Sequence, residues 1–320
     1  MDRIDFGTAI AAQPRWMART AEVASQALGG GEGKPWALDE TVAIIGMGAS
    51  THAGTVFVEA LRAAGQRAIN LDASAVARYP AGFRVAEHVI VVSESGRSPE
   101  PIAAVARLGV RPIVVTNEAS SPVAALGSVV PLGGFVDSGV YTIGYTTTLV
   151  ALAAVAQAYG VPLVDPASLA DVAADALAGY GATAEVVAEA VDSKDFLDLV
   201  GSGPSYGSAQ AAALLLREAV ALPTAAHETL QYLHGPMEAC GPRSAVLVYG
   251  GGRGVTLAAQ LRAAGAYVAE FQAPVPNAYA AAVAETVFAQ LVAAALATRR
   301  GSVVGEFRFP QPDTKLPRTL

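Results

Sequence analysis

The chain has 320 residues and a formal net charge of −7; 52% of its residues are hydrophobic and 15% are charged. This acidic balance excludes the basic surface that nucleic-acid-binding proteins usually carry. A membrane span is also excluded, because the apolar stretch 148–159 is too short and the stretch 278–297 is interrupted by Glu285 and Gln290.

The high share of hydrophobic residues instead indicates a protein that buries much of its helical surface in an oligomer. The single cysteine, Cys240, and a start without a basic and then apolar segment predict a cytoplasmic protein without a signal peptide. One cysteine and four scattered histidines make no recognisable metal-binding pattern.

The first element in chain order is a predicted helix over residues 13–28, followed by a glycine-rich linker over residues 29–33. Short β-branched runs then alternate with alanine-rich helical stretches, of which 51–64 and 99–108 are the clearest. Fully apolar strands separated by helices predict a parallel sheet covered on both faces. The predicted strands are 41–46, 68–71, 88–93, 112–116 and 129–132.

This pattern repeats in the second half of the chain. The run VAIIGMGAS from Val42 parallels LDLVGSGPS from Leu197, and HVIVVSESGR from His88 parallels AVLVYGGGRG from Ala245, at offsets of about 155 residues. The repeat predicts two homologous α-β-α sandwich domains, each with a parallel five-stranded sheet. We place an N-terminal helix and linker at 1–33, the two domains at 34–165 and 190–308, and a tail at 309–320.

Two segments carry candidate chemistry, and both follow predicted strands. The Gly46–Gly48 turn precedes a helix whose first amides could hold an anion, although a tight strand-to-helix turn explains it equally well. The loop from Ser93 to Ser98 is a hydroxyl-rich cup that suits a phosphate monoester, although Ser98 could simply cap the next helix. Glu94 would repel a phosphate unless it points away, and Arg97 could partly offset its charge.

The serine loop, the paired Gly-x-Gly-x-Ser turns and the His234-Gly235-Pro236 tripeptide resemble SIS-domain phosphosugar isomerases over nearly the whole chain. Within that family the chain is similar to the isomerase half of glucosamine-6-phosphate synthase and to its stand-alone deglycase and deaminase relatives. The resemblance implies a two-domain SIS fold and a homodimer in which His234 is supplied across the interface. It implies the following site residues: Ser50, Ser93, Ser95 and Ser98 for phosphate, Glu218 as catalytic base, His234 as ring-opening acid and base, and Ala49, Glu94, Thr146, Lys315 and Arg318 as possible further substrate contacts.

The chemistry is consistent with these roles. Moving a proton between C1 and C2 of a sugar requires a base, and a partly desolvated glutamate is suitable. Glu218 could instead be an exposed glutamate that pairs with Arg217, and His234 could only bond locally. Enediol chemistry requires no metal when protein groups stabilise the oxyanion, so no cofactor is predicted.

Departures from the family weaken an assignment to synthase chemistry. Leu215 replaces a lysine, Ala49 replaces a threonine, and Tyr249–Gly254 offers glycines where the first half has serines, which predicts one site per subunit. A chain with Cys240 alone and a Met1-Asp2 start indicates no glutaminase domain. The leading hypothesis is a phosphosugar isomerase or amino-sugar-phosphate deaminase or deglycase. The alternative is a non-catalytic sugar-phosphate-binding sensor that acts through a protein partner. A dinucleotide-binding oxidoreductase is rejected, because Thr51 stands where a third glycine would be needed.

Overall fold

A computed structural model describes residues 3–29, 34–309 and 311–317. Residues 30–33 of the predicted linker and Arg318 of the predicted site therefore lie outside the described residues. The described chain forms two compact units. The first-sheet unit comprises residues 15–29, 34–136, Ile143–Ala170, 307–309 and 311–317, and the second-sheet unit comprises residues 3–14, Asp137–Thr142 and Asp171–Glu306.

Helices and parallel strands alternate along the chain, as the sequence predicts. The strands are β1 (Thr41–Gly46), β2 (Arg67–Asp72), β3 (His88–Val92), β4 (Ile113–Thr116), β5 (Ser128–Pro131), β6 (Phe196–Gly201), β7 (Thr224–Glu228), β8 (Ser244–Tyr249) and β9 (Tyr267–Phe271). The helices are α1 (Phe6–Ala27), α2 (Ala49–Ala63), α3 (Ala73–Val76), α4 (Pro99–Val105), α5 (Ile143–Ala158), α6 (Leu169–Gly179), α7 (Gly181–Asp192), α8 (Pro204–Val220), α9 (Thr229–Tyr232), α10 (Arg253–Ala263) and α11 (Ala278–Arg300).

The first sheet has five parallel strands in the order β2-β1-β3-β4-β5. Its inner strands have apolar centres, and Val42–Ile45 and Ile90–Val92 are fully buried. Side chains of β1, β3 and β4 share one cluster with α3 and α4. This arrangement is the two-faced burial that long β-branched runs require.

The second sheet has four parallel strands in the order β7-β6-β8-β9. The order matches that of β2-β1-β3-β4, but among the described residues no strand corresponds to β5. The prediction of five strands in each sheet is therefore wrong for the second sheet. After β9 the chain passes Pro274 and Pro276, which have no amide to donate to a ladder, and Asn277 then caps α11 by accepting from two helical amides.

Helix α11 is the most apolar long helix in the described chain, and by length and composition alone it could cross a membrane. Its apolar window is 83% buried inside the protein. It packs against α7 and α8 of the second-sheet unit, and Glu285 and Gln290 are buried within it. The structure therefore places α11 as a core helix of its unit.

Candidate functional site

The serine loop and the first glycine turn meet at one edge of the first sheet. Strands β1 and β3 are parallel neighbours, and the register pairs Ile45 with Val91, so both strands end at the same level. The order β2-β1-β3 means that the chain leaves β1 toward β2 on one side, while β3 lies on the other. Such a topological switch point is where open α/β sheets bind ligands, beyond the carboxyl ends of the strands.

The turn from Gly46 to Ser50 is shaped by a close backbone approach. A Cβ on Gly46 would lie 2.9 Å from the Ser50 carbonyl carbon and Cβ, so only glycine allows α2 to begin this near the strand. Gly48 stands at the N-cap of α2 and supplies no side chain to cap it. Ala49 is the first helical residue, and Ser50 follows with only 8% of its surface exposed.

The serine loop is folded inward rather than splayed into solvent. Ser93 and Ser95 are buried, and the Arg97 amide lies 3.4 Å from the Ser95 Oγ that it donates to. The loop reverses direction through a bond from the Gly96 amide to the Ser93 carbonyl, 3.0 Å long. Ser98 stands at the N-cap of α4 and Pro99 follows, but the Ser98 hydroxyl makes no capping bond to the described chain. The structure thus brings Ser50, Ser93, Ser95 and Ser98 to one edge of the sheet.

The charged side chains of this loop bond to residues that follow β4. The Nη2 and Nε atoms of Arg97 donate to the two carboxylate oxygens of Glu118 at 2.9 and 3.1 Å. Glu94 accepts from the Asn117 side-chain amide at 3.3 Å. The pKa of Arg97 is raised because this bidentate bond stabilises its charged form.

Sequence reasoning missed the residues after β4 that hold the loop in place. The Thr116 hydroxyl and the Asn117 amide both donate to the Glu94 carbonyl, at 3.1 and 2.9 Å. Ser121 lies under Gly96, and its buried Oγ has no hydrogen-bond partner among the described residues. The available signal was the polar run Thr116–Ser121, because β4 neighbours β3 and ends at the same edge.

The chain near residue 316 lies beside the serine loop. The Leu316 amide donates to the Arg97 carbonyl at 2.8 Å, and Arg97 Nη1 donates to the Pro317 carbonyl at 3.0 Å. Lys315 is exposed next to these bonds. Of the two cationic tail residues considered from the sequence, Lys315 is therefore brought to the edge that carries the serines, and Arg318 is outside the described residues.

His52, one turn into α2, is a second residue that sequence reasoning did not select. Burial lowers its pKa to about 4, against the opposing influence of the Asp72 carboxylate. Its Nδ1 atom is buried and finds no partner in the described part of the chain. A neutral imidazole therefore stands two residues beyond Ser50 at neutral pH.

Glu218 and His234 both belong to the second-sheet unit. Glu218 is half-buried near the end of α8, and its neighbour Arg217 donates through Nε to the Thr224 carbonyl at 2.8 Å. His234 is exposed in the turn between α9 and a short 3-10 helix, Pro236–Ala239, and its amide donates to the Gln231 carbonyl at 3.0 Å. Their roles in a reaction stay predictions.

Thr146 lies in α5, a helix that is buried on every side. Its hydroxyl donates to the Ile143 carbonyl at 3.3 Å, within the same helix, and the residue has no exposed surface. A substrate contact from Thr146 would require this hydroxyl to become accessible.

The second sheet has a glycine turn where the first has serines. Tyr249 ends β8, and Gly250–Gly252 leads into α10 without any side-chain hydroxyl. Ser205, the counterpart of Ser50, donates its hydroxyl to the buried carboxylate of Glu285 at 2.7 Å. This serine is therefore committed to a contact inside its own unit.

Comparison with known proteins shows which solved structures have a similar fold. No family model matches the sequence, and no curated protein matches it significantly. Among solved structures, the C-terminal domain of glucosamine-fructose-6-phosphate aminotransferase from Francisella tularensis has a TM-score of 0.78 at 16% identity, over 93% of this chain and 97% of that one. Glucosamine-6-phosphate deaminase from Thermotoga maritima has a TM-score of 0.79 at 20% identity, over 96% and 98%.

Tagatose-6-phosphate ketose/aldose isomerase from Escherichia coli has a TM-score of 0.73 at 17% identity, over 94% of each chain. These similarities extend over almost the full length of every chain compared. The resemblance to SIS-domain phosphosugar isomerases is therefore confirmed at the level of the fold.

Proposed function

We propose that this chain is a phosphosugar isomerase, or an amino-sugar-phosphate deaminase or deglycase, acting on a ketose or amino-sugar 6-phosphate. The observation that carries the proposal is the serine loop at the switch point of the first sheet. Ser93 and Ser95 are buried there on a glycine-bent loop, and Ser50 lies in the first turn of α2 beside them. Hydroxyls and helix amides at such an edge suit a phosphate dianion.

In the proposed reaction this loop binds the 6-phosphate. Glu218 removes a proton from the carbon next to the carbonyl or imine and returns it to the neighbouring carbon, so an enediol or enolamine forms and collapses. His234 transfers the proton that opens the sugar ring. The two roles follow from the family resemblance, and the half-buried position of Glu218 supports that of a base.

We further propose a homodimer in which His234 serves the neighbouring subunit. The exposure of the His234 side chain on a turn supports this arrangement, because a buried imidazole could not reach another subunit. Sedimentation of the purified chain, with and without a phosphosugar, measures the assembly directly.

Phosphate binding by the serine loop is tested with Ser95→Ala. Losing a hydrogen bond to a charged group should weaken binding of fructose 6-phosphate about 10- to 100-fold in calorimetry. The matched control is Ser193→Ala, because Ser193 is an exposed serine whose hydroxyl only bonds the preceding helix turn. Equal affinities for Ser95→Ala and the wild type would remove the phosphate role of this loop.

Catalysis is tested with an assay that resolves ammonia and sugar products. The substrates are fructose 6-phosphate, glucosamine 6-phosphate, N-acetylated amino-sugar phosphates and 6-phosphorylated fructosamines. We expect turnover of at least one of them, and its loss in Glu218→Gln but not in Glu189→Gln, an exposed glutamate on α7. Tight binding without turnover across the panel would contradict the enzyme and favour a sensor.

A further inference from the structure

A series of hydrogen-bonded side chains connects the central strand β6 of the second-sheet unit to the turn that carries His234. Asp198 lies on the inner strand β6, between Ala225 of β7 and Val246 of β8, and only 6% of its surface is exposed. The Tyr232 hydroxyl donates to Asp198 Oδ2 at 2.8 Å. The same hydroxyl lies 2.8 Å from the Cys240 sulfur.

The proton inventory fixes the direction of these hydrogen bonds. A phenol has one proton, and Tyr232 uses it to donate a hydrogen bond to the Asp198 carboxylate. In the contact with Cys240 the thiol is therefore the donor and the phenol oxygen is the acceptor. Burial is the largest cause that raises the pKa of Tyr232, and the nearby Asp198 carboxylate adds to the rise, so the phenol stays protonated. Burial also raises the pKa of Asp198, while the Tyr232 bond and His227 oppose that shift. His227 approaches from β7, with Nε2 3.8 Å from Asp198 Oδ1.

Tyr232 and Cys240 are the two ends of one surface turn. The seven residues between them include His234, Gly235 and Pro236, and the turn bends at Gly235 with φ 127°. Leu233, Met237 and Cys240 pack partly buried against the cluster formed by Tyr232 and its neighbours in β6 and β8. The hydroxyl of Tyr232 thus connects both ends of this half-exposed turn to the central strand β6.

We propose that Tyr232, held by Asp198, is a positioning residue that fixes the His234 turn through its bond to Cys240. The inference rests on the proposed ring-opening role of His234. An exposed imidazole on a turn can transfer a proton at one defined atom only if the turn is held in one conformation. A buried hydroxyl with two partners supplies that restraint, and a carboxylate within a central strand is an immobile anchor.

Three variants remove or restore different hydrogen bonds of the Tyr232 hydroxyl. Tyr232→Phe removes the hydroxyl but leaves Asp198 buried without its donor, which can also lower stability. Cys240→Ala breaks only the far end of this series and leaves the Tyr232–Asp198 bond intact. Cys240→Ser restores a donor and is the matched control.

The first measurement is backbone hydrogen exchange over residues 233–239 in the ligand-free protein. Tyr232→Phe and Cys240→Ala should each raise exchange across this turn about tenfold, which corresponds to losing one ordinary hydrogen bond. Cys240→Ser should exchange like the wild type, and residues of β1 and β3 should be unaffected in all variants. Unchanged exchange over 233–239 in Cys240→Ala would overturn the proposal whatever the protein catalyses.

The second measurement compares turnover of fructose 6-phosphate with that of 5-deoxyfructose 6-phosphate, which cannot close a furanose ring. Tyr232→Phe and Cys240→Ala should lower kcat/KM about tenfold for the first substrate and less than twofold for the second. His234→Ala should show the same selectivity more strongly, and Cys240→Ser should behave like the wild type. A loss shared equally by both substrates in Tyr232→Phe and Cys240→Ala would overturn the positioning role, since general destabilisation acts on both. If His234→Ala itself shows no selectivity, the proposed ring-opening role fails instead, and the positioning inference fails with it.

Discussion

At the scale of single residues, the serine loop depends on what one glycine permits. Gly96 has φ 62°, a conformation that L side chains rarely adopt. A Cβ at this position would also collide with the Cβ and Oγ of Ser121, which lies beneath the loop. The Val123 amide donates to the Gly96 carbonyl at 3.1 Å, so the loop cannot simply lift away. Loop shape and hydroxyl placement are therefore set by the same residue.

Gly96→Ala should lower the free energy of unfolding by about 2–4 kcal/mol, the sum of left-handed backbone strain and overpacking. Replacing Ser121 by glycine in the same chain should recover part of this loss, because the collision is relieved while the strain stays. Gly181→Ala is the control: a Cβ there meets nothing within 4 Å, and alanine at the start of α7 should add up to about 1 kcal/mol. Denaturant titration measures all three, and a neutral Gly96→Ala would show that the loop adapts.

At the scale of an element, α11 carries a charge that its surroundings disfavour. Glu285 has 1% of its surface exposed, and burial raises its pKa to about 7, although the hydrogen bond from Ser205 partly opposes the shift. Its Oε2 atom finds no hydrogen-bond partner among the described residues. A core helix thus contains a carboxyl group that holds its proton far more tightly in the folded chain than in the unfolded one.

The pH dependence follows from that difference. Between pH 4.5 and about 7 the unfolded chain releases the Glu285 proton while the folded chain retains it, so folding stability falls as pH rises and levels off above 7. The loss over this range is on the order of 3 kcal/mol, because each unit of pKa difference corresponds to about 1.4 kcal/mol. Glu285→Gln keeps an acceptor for Ser205 and should remove this part of the pH dependence.

Thermal or denaturant unfolding at pH 5 and pH 8 compares the two chains. The exposed Glu189→Gln variant on α7 should retain the wild-type pH profile. A wild-type profile in Glu285→Gln would show that Glu285 is ionised without cost in the folded protein.

At the scale of the whole molecule, local patterns predicted the elements and missed most tertiary contacts. Apolar β-branched runs placed β1 and β3 within a residue of their observed ends, because such runs have no alternative to a buried strand. The second sheet was predicted with five strands because repetition alone cannot show where a repeat is truncated; the prolines after β9 mark that point.

For the candidate site, too, the sequence predicted local positions but not the contacts between distant residues. The serines could be placed at one edge, since parallel strands end together. The carboxylate that pairs with Arg97 could not be predicted, because Glu118 follows a different strand and only the fold brings it near Arg97. The link from Asp198 to Tyr232 and Cys240 was also invisible, since it joins residues 34 and 8 positions apart.

Deuterium transfer from solvent to the sugar tests whether this protein forms an enediol or enolamine. Each time an enediol or enolamine forms, the proton held on Glu218 can exchange with water before it returns to carbon, so repeated turnover at equilibrium places deuterium on the sugar. We would incubate fructose 6-phosphate and glucosamine 6-phosphate with the protein in D2O and follow C1 and C2 by NMR. We expect deuterium at C1 or C2 with the wild type and with Glu189→Gln, and at least a 100-fold slower rate with Glu218→Gln, because a general base is lost. No deuterium with the wild type, while both sugars bind through Ser95, would contradict the isomerase and leave a sugar-phosphate-binding protein.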